Sequence, residues 1–173
     1  MPNWCNNVVT IKHKNKKALD RVVKAFNEEK LCAEFIPIPK ELEESTAPNN
    51  SPSRNELIEK YGYPDWYEFC VNNWGTKWDV NPCGTSAQVK GKEVCLGFDT
   101  AWAPPTGLYD KLIEEGYEVE AFYFEGGMGF YGRYINGEDE CGEYSSSKDI
   151  PDYIDEVFNV RESMQEFEEE NEE

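Results

Sequence analysis

The 173-residue chain has a single histidine, His13, and only 17 lysines and arginines against 35 aspartates and glutamates, a formal net charge of −18. One imidazole leaves little for Ser/His/Asp or Cys/His chemistry, and no G-x-S-x-G sequence supplies a nucleophile elbow. The shortage of positive charge argues against direct binding to nucleic-acid phosphate or to an acidic membrane, because like charges repel. No apolar run approaches the roughly 18 residues of a membrane span, so no membrane partner is expected. The opening MPNWCNNVV lacks the basic and apolar stretches of a secretory signal, which points to the cytoplasm. The cysteines Cys5, Cys32, Cys70, Cys83, Cys95 and Cys141 form no C-x-x-C pair. With one histidine and no export signal, free thiols are expected rather than disulfides or a metal site. The glycine-rich EGGMGFYG, Glu125 to Gly132, is neither a Walker loop nor a dinucleotide fingerprint and fits a turn between strands. No catalytic residue, metal or cofactor is therefore assigned, and the expected protein is not an enzyme.

Aromatic residues, in contrast, make up 14% of the chain, too many for a disordered acidic protein, so a folded core is expected. Trp4 to His13 alternates with β-branched residues and reads as a strand. Asn15 then caps an amphipathic helix from Lys16 to Glu29, whose Ala18, Leu19, Val22, Val23 and Phe26 recur at helical spacing. Leu31 to Ile38 reads as a short extended piece, and Lys40 to Ser53 as a loop. Helices are expected at Arg54 to Tyr61, from Pro64 to near Gly75, and from Thr106 to Gly116. Between the last two, Ala87 to Phe98 suggests a hairpin turning near Lys90 to Lys92. Tyr117 to Phe124 and Phe130 to Ile135 are strands, and Asn136-Gly137 is a hairpin turn. Pro151 opens a last helix, with fraying beyond Glu166.

The order strand, helix, hairpin, helix, strand predicts an α+β, ferredoxin-like antiparallel sheet with helices on one face. Residues 1–150 form that domain, with a helical and loop insertion at about 40–76, and residues 151–173 form an acidic C-terminal helix and tail. The opening MPNWCNNVVTI, the segment NNWGTKWD (Asn72 to Asp79) and the segment FDTAWAPP (Phe98 to Pro105) carry a resemblance. Over roughly residues 1–135 the chain resembles the phage- and plasmid-borne proteins related to YubB, which have a ferredoxin-like N-terminal domain. The resemblance implies that fold and a mobile-element setting, a bacteriophage. It brings no established catalytic residues with it.

Two groups of residues are candidates for function. Residues 138–173 hold 15 acidic and two basic side chains. Glu138, Asp139, Glu140, Glu143, Asp149, Asp152, Asp155, Glu156, Glu162 and Glu166 are the expected contacts to a host protein with a basic surface, such as a nucleic-acid-binding defence protein. A fixed array of carboxylates would act there as a DNA mimic, since duplex DNA carries about one charge per 1.7 Å. On one helix, several of Asp152, Asp155, Glu156, Glu162 and Glu166 would share an outward face. The alternative is a small-ligand or peptide pocket walled by Trp4, Trp74, Trp78 and Trp102, beside Asn3, Asn72, Asn73, Lys77, Asp79, Asp99 and Thr100. The same tryptophans would equally suit the core beneath the helices.

Overall fold

A computed structural model describes residues 3–84 and 86–171. Met1 and Pro2 of the opening motif, Thr85, and the last two residues of the acidic tail lie outside it. The first strand, β1 (Trp4–Lys12), is followed by α1 (Lys16–Asn27), whose N-cap Asn15 accepts a hydrogen bond from the Lys17 N–H at 2.9 Å. Four helices lie between α1 and the next strand, the last three of them in the insertion: α2 (Leu31–Phe35), α3 (Lys40–Glu43), α4 (Arg54–Tyr61) and α5 (Trp66–Trp74). The strands β2 (Asn81–Pro82) and β3 (Glu93–Ala101) lead to α6 (Thr106–Glu114). A meander follows, β4 (Glu118–Glu125), β5 (Phe130–Ile135) and β6 (Glu138–Glu143). A 3-10 turn at Ser147–Asp149, α7 (Asp152–Phe158) and α8 (Arg161–Asn171) complete the chain.

The six strands lie in the order β2-β3-β1-β4-β5-β6 with every pairing antiparallel. Strands β2-β3-β1-β4, with α1 and α6 as crossovers, form the ferredoxin-like arrangement; β5 and β6 extend it. Alternation along β1 sends Cys5, Asn7, Val9 and Ile11 to one face. There Val9 and Ile11 share one core with Leu19, Val22 and Phe26 of α1, Leu108 and Leu112 of α6, and Phe69 and Trp74 of α5. The opposite face is covered beside β4 and β5, where Phe122, Phe124 and Tyr131 pack with Ile150, Ile154, Phe158 and Met164. The C-terminal helices thus make a second layer, and the helices are not confined to one face.

Several expected elements are corrected. Leu31–Phe35 is helical, because Asp79 accepts from the Cys32 and Ala33 N–H groups at 2.8 and 2.9 Å and satisfies its first turn. The Lys90–Glu93 turn forms, but the hairpin arm before it does not: the Ala87 N–H bonds the Asn27 side chain, and β3 pairs with Asn81–Pro82 instead. The loop from Lys40 begins with a helical turn that buries Leu42. The acidic C-terminal helix is two helices broken at Asn159, which adopts a left-handed φ of 51°. Nor does it fray after Glu166: α8 runs to Asn171, and Glu168 accepts from the Ser147 N–H and hydroxyl at 2.7 and 2.8 Å.

Part of the positive charge of α1 is spent internally. Arg21 pairs with Glu34 at 2.7 Å and Glu115 at 2.8 Å, and Lys16 pairs with Asp20 along the helix. Helix α6 begins so close to α5 that a Cβ on Gly107 would lie 2.1 Å from the Asn73 carbonyl oxygen. Backbone on both sides leaves no flexible group to yield. Gly107→Ala is therefore expected to destabilise the fold by about 1–3 kcal/mol, read as a lower urea midpoint with an unchanged m-value.

Candidate functional site

The end of the sheet where β1 begins and β3 ends is organised by one buried amide. Asn7 is 2% exposed. Its Nδ2 donates to the Cys5 carbonyl at 2.8 Å and to Thr100 Oγ1 at 2.9 Å, and its Oδ1 accepts from the Tyr109 hydroxyl at 3.3 Å. The Thr100 hydroxyl donates to the Ala103 carbonyl at 2.8 Å, which fixes the loop after β3. Thr76 donates to the Ala101 carbonyl at 3.1 Å and ties the loop after α5 to the same place. That loop leaves α5 through Gly75, whose φ of 87° is a left-handed helix stop. Two loops and the start of β1 thereby converge.

The tryptophans sort accordingly. Trp74 is core: it is 3% exposed and its indole N–H donates to the Ile36 carbonyl at 2.9 Å. Trp4, Trp78 and Trp102 are 41%, 41% and 37% exposed. Trp4 and Trp78 lie with ring centroids 6.3 Å apart, and Trp102 meets Tyr67 edge-on at 6.4 Å. The Lys77 ammonium sits among three of these rings, 4.5 Å from Trp78, 5.2 Å from Trp102 and 5.7 Å from Tyr67. Trp102 holds a φ of 70°, a conformation that costs a non-glycine residue about 1–3 kcal/mol. Its N–H donates to the Asn3 carbonyl at 2.9 Å.

Of the polar neighbours, Thr100 and Lys77 belong to this site. Asn72 and Asn73 bond back to the Glu68 and Phe69 carbonyls of their own helix. Asp79 caps α2, and Asp99 accepts from Asn6 at 2.6 Å. A cleft of about 870 Å³ adjoins the aromatic group at Trp102. Met128 and Phe130 line it with Asp139, Cys141 and Glu143. Tyr67, Met128 and Phe130 were not legible as site residues. Alternation on the β5-β6 hairpin, which turns Asp139, Cys141 and Glu143 to one side, was the available signal for the cleft's far wall.

The ten carboxylates do not form one surface. On β6, Glu138 and Glu140 stand opposite Ile135 and Arg133, whereas Asp139 and Glu143 point to the other face. Five already serve the fold. Glu140 pairs with Arg133 at 2.7 Å, and Asp139 accepts from the Tyr123 hydroxyl at 2.8 Å. Asp149 caps Ser145 and Ser146, and these bonds hold its carboxyl below the usual range. Asp152 and Asp155 contact Arg161. Glu156, Glu162 and Glu166 are exposed, on two helices separated by the Asn159 break. Among the described residues no group of His, Cys, Asp or Glu side chains is arranged to hold a metal ion, and no helix is long and apolar enough to cross a membrane. The glycine-rich turn has its own anion: Glu125 is 1% exposed and accepts from the Gly127 and Met128 N–H groups.

No known protein family matches the sequence, and no curated protein matches it. Among solved structures the chain is similar to the crystal structure of a protein api92 from Yersinia pseudotuberculosis, of the family DUF1281. The two share 11% identity and a TM-score of 0.45, over 84% of this chain and 99% of that one.

The thiols differ sharply in environment. Burial, reinforced by the Glu125 carboxylate, pushes Cys5 up to about 12, and burial with Asp79 does the same for Cys70. Cys83 is exposed overall, yet partial burial and the Asp99 carboxylate raise it to about 11. Cys32 is buried and raised further. At pH 8, iodoacetamide is expected to label Cys95 and Cys141 first, with Cys5, Cys32 and Cys70 reacting only after unfolding. Peptide mass spectrometry checks the order.

Proposed function

We propose that the protein is a non-enzymatic binding module that takes its partner at the aromatic end of the sheet and the adjoining cleft. The single observation that carries this reading is that three tryptophans are about two-fifths exposed and one of them, Trp102, lines a cleft, although a core was available to bury them. Exposed aromatic groups on braced loops supply large contact area with little entropy to lose, as binding anchors do. Met128 and Phe130 offer apolar contacts within the cleft, and Asp139 and Glu143 place acidic groups in its lining, a combination that suits a partner segment with both apolar and basic side chains. The net charge of −18 adds long-range attraction for such a partner.

The setting implied by the opening motif belongs to the same proposal: a phage- or plasmid-borne protein acting on a host protein in the bacterial cytoplasm. In this reading the acidic residues steer the encounter and the aromatic groups hold the complex. A DNA-mimic reading places the holding energy in the carboxylates instead.

Affinity capture from a bacterial lysate at low and high salt separates the two. The variant Trp78→Ala/Trp102→Gly is expected to lose the captured partner at both salt concentrations. Glu156→Gln/Glu162→Gln/Glu166→Gln, which alters exposed carboxylates with no structural bond described, is expected to retain it at high salt. Loss in the glutamine variant with retention in the aromatic variant would overturn the aromatic reading in favour of the mimic.

A further inference from the structure

The Lys77 side chain chooses an unusual neighbourhood for this protein. The chain has 35 carboxylates, yet none forms an ion pair with Lys77 among the described residues. Its ammonium rests instead at cation–π distance from Tyr67, Trp78 and Trp102. Tyr67 and Trp102 stand at 82° to each other, so the cation is flanked by walls in different planes. Faces of electron-rich rings turned toward one point make a receptor for an organic cation. The receptor's walls are fixed from outside: Trp102 by the Asn3 carbonyl, and Lys77's own loop by Thr76. Lys77 reaches it on a flexible four-carbon stem, which moves without disturbing the backbone.

We infer that the Tyr67–Trp78–Trp102 cage is a binding site for a partner's arginine or lysine side chain, and that Lys77 occupies it as an internal stand-in that the partner displaces. The inference rests on the binding-module reading and names the group that the module selects. Three features favour a basic side chain as occupant. The cage already holds an alkylammonium. The protein's charge concentrates cations around it. Trp102 also lines the cleft, so a basic residue in the cage would bring its neighbours over Met128 and Phe130 and toward Glu143. Lys77 then acts as a threshold: an incoming side chain must outcompete a tethered cation, which favours guanidinium groups able to stack on indole over a lone ammonium.

The test uses the full chain and the blocked tripeptide arginine-leucine-arginine, followed by tryptophan fluorescence. Lys77→Ala, at a half-buried loop position, is expected to keep the wild-type fold by circular dichroism and to bind the tripeptide about tenfold more tightly. The citrulline-leucine-citrulline tripeptide, equal in shape but neutral, is expected to bind at least tenfold more weakly to that variant. Adding Trp78→Leu to Lys77→Ala should abolish the preference for arginine. Equal binding of the arginine and citrulline peptides, no gain in Lys77→Ala, or weaker binding in Lys77→Ala would overturn the stand-in role. Tighter binding of tetramethylammonium than of the arginine peptide would overturn the peptide source in favour of a free quaternary amine. The two proposals fail separately. If partner capture is lost in Trp78→Ala/Trp102→Gly but shows no cation preference, the module stands and the cage inference falls. If capture ignores the aromatic variant, the module reading itself falls.

Discussion

Asn7 is the constraint on which the site depends. Its amide is sealed from water and offers donors and an acceptor that must all be met, because a buried polar group left unpaired costs about 1–3 kcal/mol. The partners it finds are the backbone of its own strand, the hydroxyl of Thr100 on the neighbouring strand and the hydroxyl of Tyr109 on α6. A hydrophobic residue there would pack but would not specify where the loop after β3 turns. The amide does specify it, because Thr100 relays the network to the Ala103 carbonyl. The displayed indoles therefore trace back to polar atoms in the layer beneath them.

The same logic recurs elsewhere. Asp79 spans from the Trp-bearing loop to the first turn of α2, a carboxylate whose burial raises its pKa while three backbone N–H groups oppose that rise. Glu125 closes the β4-β5 turn in a comparable way. In a chain so rich in acid, these carboxylates act as fasteners for backbone donors, and part of the acidity is accounted for by the fold before any partner is considered.

Where the periodicity was strong and local, the sequence was a sound guide. The spacing of Leu19, Val22 and Phe26, the cap at Asn15, the alternation along β1 and the Asn136-Gly137 turn all describe interactions within a few residues. Leu31–Phe35 was not legible because its stabilising acceptor, Asp79, lies far along the chain. The arm at Ala87 was lost to a side-chain bond from Asn27 that competes with strand pairing. β6 was hidden by its own charge: Glu-Asp-Glu resembles a solvated turn, and only the register with β5 makes it a strand. For the site, four tryptophans were visible and indistinguishable. Three-dimensional placement, with Trp74 on the core side of α5 and the others at loop ends, was needed to separate filler from surface.

That last strand has a bearing on how the molecule behaves in a crowd. β6 is the outer margin of an open sheet, and a bare margin of backbone donors and acceptors invites another chain to add on. Here the margin carries Glu138, Asp139, Glu140 and Glu143, so a second copy approaching edge to edge brings the same row of negative charge with it. Growth of the sheet from molecule to molecule is opposed along this margin, which runs beside the cleft at Trp102.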